Sequence, residues 1–499
     1  MSADRFLTSR RAGEFTILAV VLAAATAARL WYLDAGVPHS VGIDEPQIVD
    51  RALRILRTGD WNPHLFDYPT LVIYLQAMVA ILRFLWGALD GQWGSLDGFS
   101  IAAVYSTGRV VAAAIGIATV WLTYRLGLEL SSRGMALLAA AQVAVRPLHV
   151  RESHFILTDV PMTALTTLAV WLSVRAARLG TMRAYGWAGA AGGLAAAAKY
   201  NGGLVLVAAL AAWLLHERSS PDRMRKLAAI AGGAVLAFLV GAPYTLLDLP
   251  GFLDGFAAQF ARFAAPAHTA DPTWLIYVKH LSPPDGRWSV PLAVAGMLLL
   301  LWRPVARVRW TPVVVFTLVY FYVLSTHSHV FGRYALPLLP MLCLFTAVAV
   351  SEVARAAAAR FSPAAGPTAR RAIFVAGAIL VLYGPSAATV RWLDLQKRSD
   401  TRALAADWLK SNTPRGTRVA VENSGPTYLD AAGFRVVGTE LLLDRPLDWL
   451  RERADYLVIS TADPARYGEY LNAGPTVFQI GPTPQRWGPP VVIVRLTPR

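Results

Sequence analysis

The chain has 499 residues, 55% of them hydrophobic and only 16% charged, with a mean hydropathy of +0.43. A soluble chain of this length needs roughly a quarter charged residues to cover its surface, so a soluble globular protein is excluded. The net charge of +15 would suit a nucleic-acid binder in a soluble chain; in a membrane chain, arginines in cytoplasmic loops account for it, and no nucleic-acid partner is expected. The single cysteine, Cys343, lies in an apolar run and rules out an intrachain disulfide.

The first apolar run, FTILAVVLAAATAARLW at 15–31, is long enough to span a bilayer and lacks a small-residue cleavage site, so it reads as an uncleaved first helix. Residues 34–104 form the first external loop. Asp44 and Glu45 open it; they either cap the helix that starts near Pro46 or do chemistry at the membrane surface. Arg51, Arg54 and Arg57 repeat every third residue between Leu53, Ile55 and Leu56, which predicts an amphipathic surface helix. The stretch 69–89 is apolar but opens on Tyr68-Pro69 and carries Gln76 and Arg83.

Basic clusters mark the cytoplasmic side. They fall at Arg5/Arg10/Arg11, Arg125/Arg133, Arg175/Arg178/Arg183, Arg218–Lys226, Arg303–Arg309 and Arg355–Arg371. Successive clusters are separated by paired crossings near 134–148 and 160–177, 184–199 and 202–216, 227–245 and 289–303, and 311–326 and 333–350, and a last span near 371–390 follows the final cluster. Between Arg11 and Arg125 lie three apolar stretches, 14–33, 69–89 and 104–125, and three crossings would invert every later loop. The segment 69–89 is therefore predicted to be re-entrant or interfacial. The result is an α-helical polytopic membrane module over 1–390 with about eleven spans and a cytoplasmic N-terminus. From 391 charges return, and runs such as TRVAVE, DYLVIST and PPVVIVRL alternate with helical ones. A small α/β domain over 391–499 is predicted on the external side.

On this map eight of the nine histidines, all but His216, fall on or near the external face. That points to external chemistry. The first-loop order Asp44-Glu45, amphipathic helix, Gly59-Asp60-Trp61-Asn62-Pro63 and Tyr68-Pro69 resembles the family 39 glycosyltransferases of the GT-C fold. These include protein O-mannosyltransferases and aminoarabinose transferases of lipid A. The resemblance continues through Gly108-Arg109, HVRESHFILTDVPM at 149–162, Lys199-Tyr200-Asn201-Gly202, and Gly332-Arg333-Tyr334 with Pro337 and Pro340. It covers most of 14–350 in order and spacing.

The resemblance implies an inverting transfer of one sugar from a polyprenyl-phosphate donor to a hydroxyl of a protein, lipid or envelope glycan. Asp44 matches the catalytic aspartate, a base for the attacking hydroxyl. Glu45 would orient acceptor or sugar, and Asp159 matches the second acidic position. Asp159 also reads as an N-cap, since Thr158-Asp159-Val160-Pro161 opens a helix. Lys199 and Arg333 would hold the phosphate, with Tyr334, Tyr68, His149 and His154 near substrate. Arg109 would meet either the first-loop acids or the phosphate. His149/His154 with Asp159, or His327/His329 with a first-loop acid, could bind zinc or another divalent ion; a monophosphate leaving group gives no strong demand for one, and no metal or cofactor is expected. Alanine and arginine richness points to a bacterial inner membrane, with the external side periplasmic. The rival class, a flippase or transporter of lipid-linked sugars, would carry internal repeats and midplane charges, which the chain lacks.

Overall fold

The computed structural model describes residues 2–264, 271–326, 330–361, 366–461 and 463–497. Up to residue 395 every regular element is helical, because apolar runs rich in Ala and Leu satisfy their own backbone groups only as helices in lipid. The helices are α1 (Ser2–Leu30), α2 (Glu45–Thr58), α3 (Leu71–Leu89), α4 (Ile101–Leu130), α5 (Arg133–Val145), α6 (Pro147–Glu152), α7 (Asp159–Leu179), α8 (Met182–Ala198) and α9 (Leu206–His216). They continue as α10 (Arg223–Gly241), α11 (Tyr244–Leu247), α12 (Leu249–Ala264), α13 (Thr273–Leu281), α14 (Ser289–Leu301), α15 (Pro304–Ser325), α16 (Leu338–Phe361) and α17 (Gly366–Leu395).

Among the described residues, eight helices (α1, α3, α4, α7, α10, α15, α16 and α17) are long and apolar enough to cross a membrane, and α5, α9 and α14 are shorter apolar helices. The protein is a multi-span membrane protein. Its exposed side chains are apolar where lipid would lie: Leu380, Tyr383 and Val390 on α17, and Leu236 and Val240 on α10. α16 is buried along most of its length and forms the centre of the main core with α5, α14 and α15.

α3 covers the segment expected to be re-entrant or interfacial. It is one unbroken helix of 19 residues, with no re-entrant kink, because its one cation reaches past the helix end. Arg83 stacks 4.5 Å from the Trp93 ring and donates to Gln92 at 3.1 Å. Length and composition thus place α3 with the potential spans; only the charge pattern sets it apart.

The chain groups into two compact units: residues 1–31, 51–78 and 110–390, and residues 32–50, 79–109 and 391–499. Two segments of the first external loop, within 32–50 and 79–109, group with the tail.

In the first unit, α8 packs on α10 through glycines. A Cβ on Gly189 would meet the Ile230 backbone and one on Gly193 the Ala234 backbone, the small-residue spacing that lets helices approach closely in lipid. α8 stops at Ala198, Lys199 is extended (φ −159°), and Tyr200–Val205 forms a 3₁₀ turn before α9.

In the second unit the tail comprises β1 (Ser399–Asp400), α18 (Thr401–Asn412), β2 (Arg418–Glu422), β3 (Arg435–Thr439), α19 (Leu447–Arg453), β4 (Tyr456–Ser460), α20 (Gly468–Leu471), β5 (Thr476–Ile480), β6 (Arg486–Trp487) and β7 (Val491–Arg495). The main sheet has the order β3-β2-β4-β7-β5. β3, β2 and β4 run parallel, and β7 runs antiparallel to β4 and β5. Alternation along β2 and β4 sends Val419, Val421 and Val458 to α18 and Ala420, Leu457 and Ile459 to α19. The expected α/β domain is present.

Candidate active site

Within the second unit, the α2 helix starts at Glu45, and Asp44 sits half-buried in the turn before it. The Glu45 carboxylate has no exposed surface. Its Oε2 accepts from the Gly42 N–H at 2.7 Å, and both oxygens take the Arg109 guanidinium, at 3.0 and 2.7 Å. Arg109 donates also to the Leu33 carbonyl at 2.9 Å. Of the two partners left open for Arg109, it takes the first-loop acid. Glu45 in turn fixes the turn that carries Asp44.

Within the first unit, three predicted residues from distant sequence positions converge. Asp159 is the first residue of α7, and Thr158 holds the cap position. The Asp159 side chain therefore does not cap. Its Oδ1 accepts from Lys199 Nζ at 2.7 Å, and its Oδ2 lies 3.6 Å from Arg333 Nε. Lys199 reaches it because the chain leaves α8 there. Arg333 reaches it from the 3₁₀ turn Gly332–Ala335. The Tyr334 ring lies under both cations, 4.1 Å from Lys199 Nζ and 5.6 Å from Arg333 Cζ. The turn is held from behind: Tyr320 donates to the Tyr334 carbonyl, and Asn201 donates to the Tyr320 hydroxyl, each at 3.1 Å.

Two cations meet one carboxylate here with little water around them; the side chains of Lys199 and Arg333 are 12% and 19% exposed. Sequence reasoning missed the neighbouring pair. Arg151 grips Glu152 at 2.6 Å, and burial pushes the Glu152 carboxyl above its ordinary range, against the pull of Arg151. The only sequence signal was an acid inside the HVRESHF stretch.

The predicted histidines are committed to the interior. His149 is fully buried and its Nδ1 receives a hydrogen bond from Arg29 at 3.0 Å. A guanidinium can only donate, so the His149 proton sits on Nε2. Arg29, also missed, caps the end of α5 by donating to the Val143 and Ala144 carbonyls at 3.2 and 3.0 Å. A charge near the end of the first apolar run was its sign. His154 faces the carbonyls of Val150 and Trp31 through its two ring nitrogens. Tyr68 is half-buried ahead of α3; its neighbour in the motif series, Tyr200, donates to the Phe66 carbonyl at 3.0 Å. Among the described residues no group of three or more His, Cys, Asp or Glu is arranged to hold a metal ion. His268, His327 and His329 lie outside the described residues.

A family model described as dolichyl-phosphate-mannose-protein mannosyltransferase matches residues 96–246, a stretch that contains Arg109, Asp159 and Lys199. No curated protein matches the chain by sequence. Among solved structures, the chain is similar to ArnT from Cupriavidus metallidurans in the apo state, with 15% identity and a TM-score of 0.59 over 97% of this chain and 98% of that one. The same protein bound to undecaprenyl phosphate gives 15% identity and a TM-score of 0.58 over 96% and 97%. The Archaeoglobus fulgidus oligosaccharyltransferase in the apo form gives 12% identity and a TM-score of 0.61 over 92% and 70%. The chain has the GT-C fold.

Proposed function

We propose that the protein is an inverting glycosyltransferase that moves a sugar from a polyprenyl-phosphate donor to a hydroxyl acceptor. The observation that carries this reading is the convergence of Lys199, Arg333 and Tyr334 on Asp159. A sugar-linked phosphodiester carries one negative charge, and the released lipid phosphate carries about two. A half-dry pair of cations favours the second state over the first, which is the requirement for lowering a barrier rather than merely binding substrate. In the reaction, the acceptor oxygen bonds to the anomeric carbon as the carbon–oxygen bond to phosphate breaks. The acceptor proton passes to Asp44, and the bonding electrons leave with the lipid phosphate, held by Lys199 and Arg333. Asp159 keeps the two cations apart and aimed. Glu45 acts through the Asp44 turn, and Tyr68 lines the substrate. The likeness to ArnT, solved with undecaprenyl phosphate, supports a polyprenyl carrier.

The membrane is the bacterial inner membrane, with the N-terminus cytoplasmic and residues 391–499 periplasmic. The charge pattern supports this orientation, and a reporter fused after residue 133 tests it: an external signal overturns the map. The activity is tested with full-length protein in nanodiscs and radiolabelled undecaprenyl-phosphate sugars. Wild type should release or transfer the label, and Asp44→Asn should lose at least a hundredfold. Unchanged turnover in Asp44→Asn removes Asp44 from its role.

A further inference from the structure

The tail domain binds the Asp44 segment by individual backbone groups. The loop after β2 makes three bonds to it: the Thr427 N–H donates to the His39 carbonyl at 3.0 Å, His39 Nδ1 lies 2.8 Å from the Thr427 carbonyl, and the Thr427 hydroxyl donates to the Pro38 carbonyl at 2.6 Å. The start of α18 makes two more. Ser40 donates to Asp400 at 2.5 Å, and Arg402, itself held on Asp400 at 2.9 Å, donates to the Val41 carbonyl at 3.3 Å. Beyond Asp44, the Tyr428 hydroxyl donates to Asp50 on α2 at 2.9 Å and, its own proton thus used, accepts from Tyr105 at 2.8 Å. Tyr428 holds this pose with φ +53°, a left-handed conformation that costs a non-glycine residue about 1–2 kcal/mol. Such strain persists where surrounding contacts over-determine it.

We propose that the tail domain is a positioning device: Thr427, Tyr428 and Asp400 fix residues 38–50 so that Asp44 is held in its working place, with Tyr428 as the key positioning residue. A domain serving only as cover or tether would have no need to bond Pro38, His39 and Val41 one carbonyl at a time. Reacting groups must be held to within about half an ångström, and a displacement near 1 Å can cost about a hundredfold in rate. The proposal rests on the reading of Asp44 as the base, so its test has a readout independent of activity.

Tyr428→Phe and Ser40→Ala each remove one hydroxyl and leave the fold's volume nearly intact. In full-length protein in nanodiscs, hydrogen–deuterium exchange of amides in 38–50 should quicken at least tenfold in both variants, while peptides from α16 stay unchanged. Turnover of radiolabelled undecaprenyl-phosphate sugar should fall about tenfold in kcat with KM for the donor unchanged. Exchange at wild-type rates in both variants overturns the positioning role, whatever the activity. Quickened exchange with wild-type kcat also overturns it, provided Asp44→Asn is inactive. If Asp44→Asn remains active, it is the base assignment that falls, and the exchange data still judge the clamp.

Discussion

Removing the Arg109 guanidinium should be among the most damaging single changes outside the main core. In Arg109→Met the Glu45 carboxylate keeps the Gly42 N–H but loses its guanidinium, in a place where the two side chains are 2% and 0% exposed. Breaking one partner out of a buried pair leaves an uncompensated charge and costs about 3–5 kcal/mol. The pair itself contributes less than that, since burying both ions opposes their attraction. The double variant Arg109→Met/Glu45→Gln, which keeps the shape and removes both charges, should therefore recover at least about half of the loss, a coupling that a double-mutant cycle isolates. The control is Arg54→Met, which breaks the pair with Asp60 at 2.8 Å where the side chains are 41% and 39% exposed; solvent screens a pair of that kind, so its loss should change stability little. The assay is equilibrium unfolding in mixed micelles, followed by tryptophan fluorescence. The reasoning is refuted if Arg109→Met costs no more than Arg54→Met, or if the double variant is as unstable as the single.

Three further outcomes are expected. Lys199→Met removes a charge-assisted contact to the leaving phosphate of about 1.5–3 kcal/mol, so kcat/KM for undecaprenyl-phosphate sugar should fall roughly 10- to 150-fold, mainly through kcat; an unchanged KM and kcat would take Lys199 out of the site. Burial pushes the His39 imidazole below its ordinary 6.5, against the opposing pull of its bond to Thr427. With the folded value depressed, the unfolded chain takes up the proton first, so this stability is present above pH 6.5 and lost as pH falls below it. The melting temperature of wild type should drop between pH 7 and 5 more steeply than that of His39→Asn, and parallel curves would contradict this. Gly193→Val drives two methyl groups into the Ala234 backbone and should cost about 1–3 kcal/mol from overpacking. Gly232→Ala, on the other helix of the pair with open space beside it, should be neutral or stabilising, as read by folded yield and melting temperature.

The membrane class, the amphipathic α2 and the tail strands β2, β4 and β7 were legible in the sequence. Each depends on local pattern: apolar run length, a threefold arginine repeat, or short β-branched runs between turn residues. The strands β3 and β5 were not legible. They flank the sheet, β3 is largely exposed, and an edge strand has only one ladder to satisfy, so its composition is weakly constrained. Whether 69–89 is re-entrant or interfacial was not decided by the sequence, because Gln76 and Arg83 interrupt its apolar run; in the fold it is one continuous helix whose Arg83 finds its partners beyond the helix end.

What the sequence determined alone is the inventory: which residues are charged where lipid makes charge costly, and which motif pieces follow one another. That inventory singled out Asp159, Lys199, Arg333 and Tyr334, which the fold brings together, and set Arg109 beside the first-loop acids as one of two choices. Only the tertiary structure decided who partners whom. Asp159 and Arg333 lie far apart in the chain, and no periodicity links them; the pairing arises because α7 begins, α8 ends and the turn before α16 closes at one place. The same holds for His149 and Arg29, and for Asp50 and Tyr428, which lie 120 and 378 positions apart. A sequence constrains each charge to find a partner, because an unpaired buried ion costs several kcal/mol. It does not say which partner, since that choice belongs to the packing of helices whose apolar faces are nearly interchangeable.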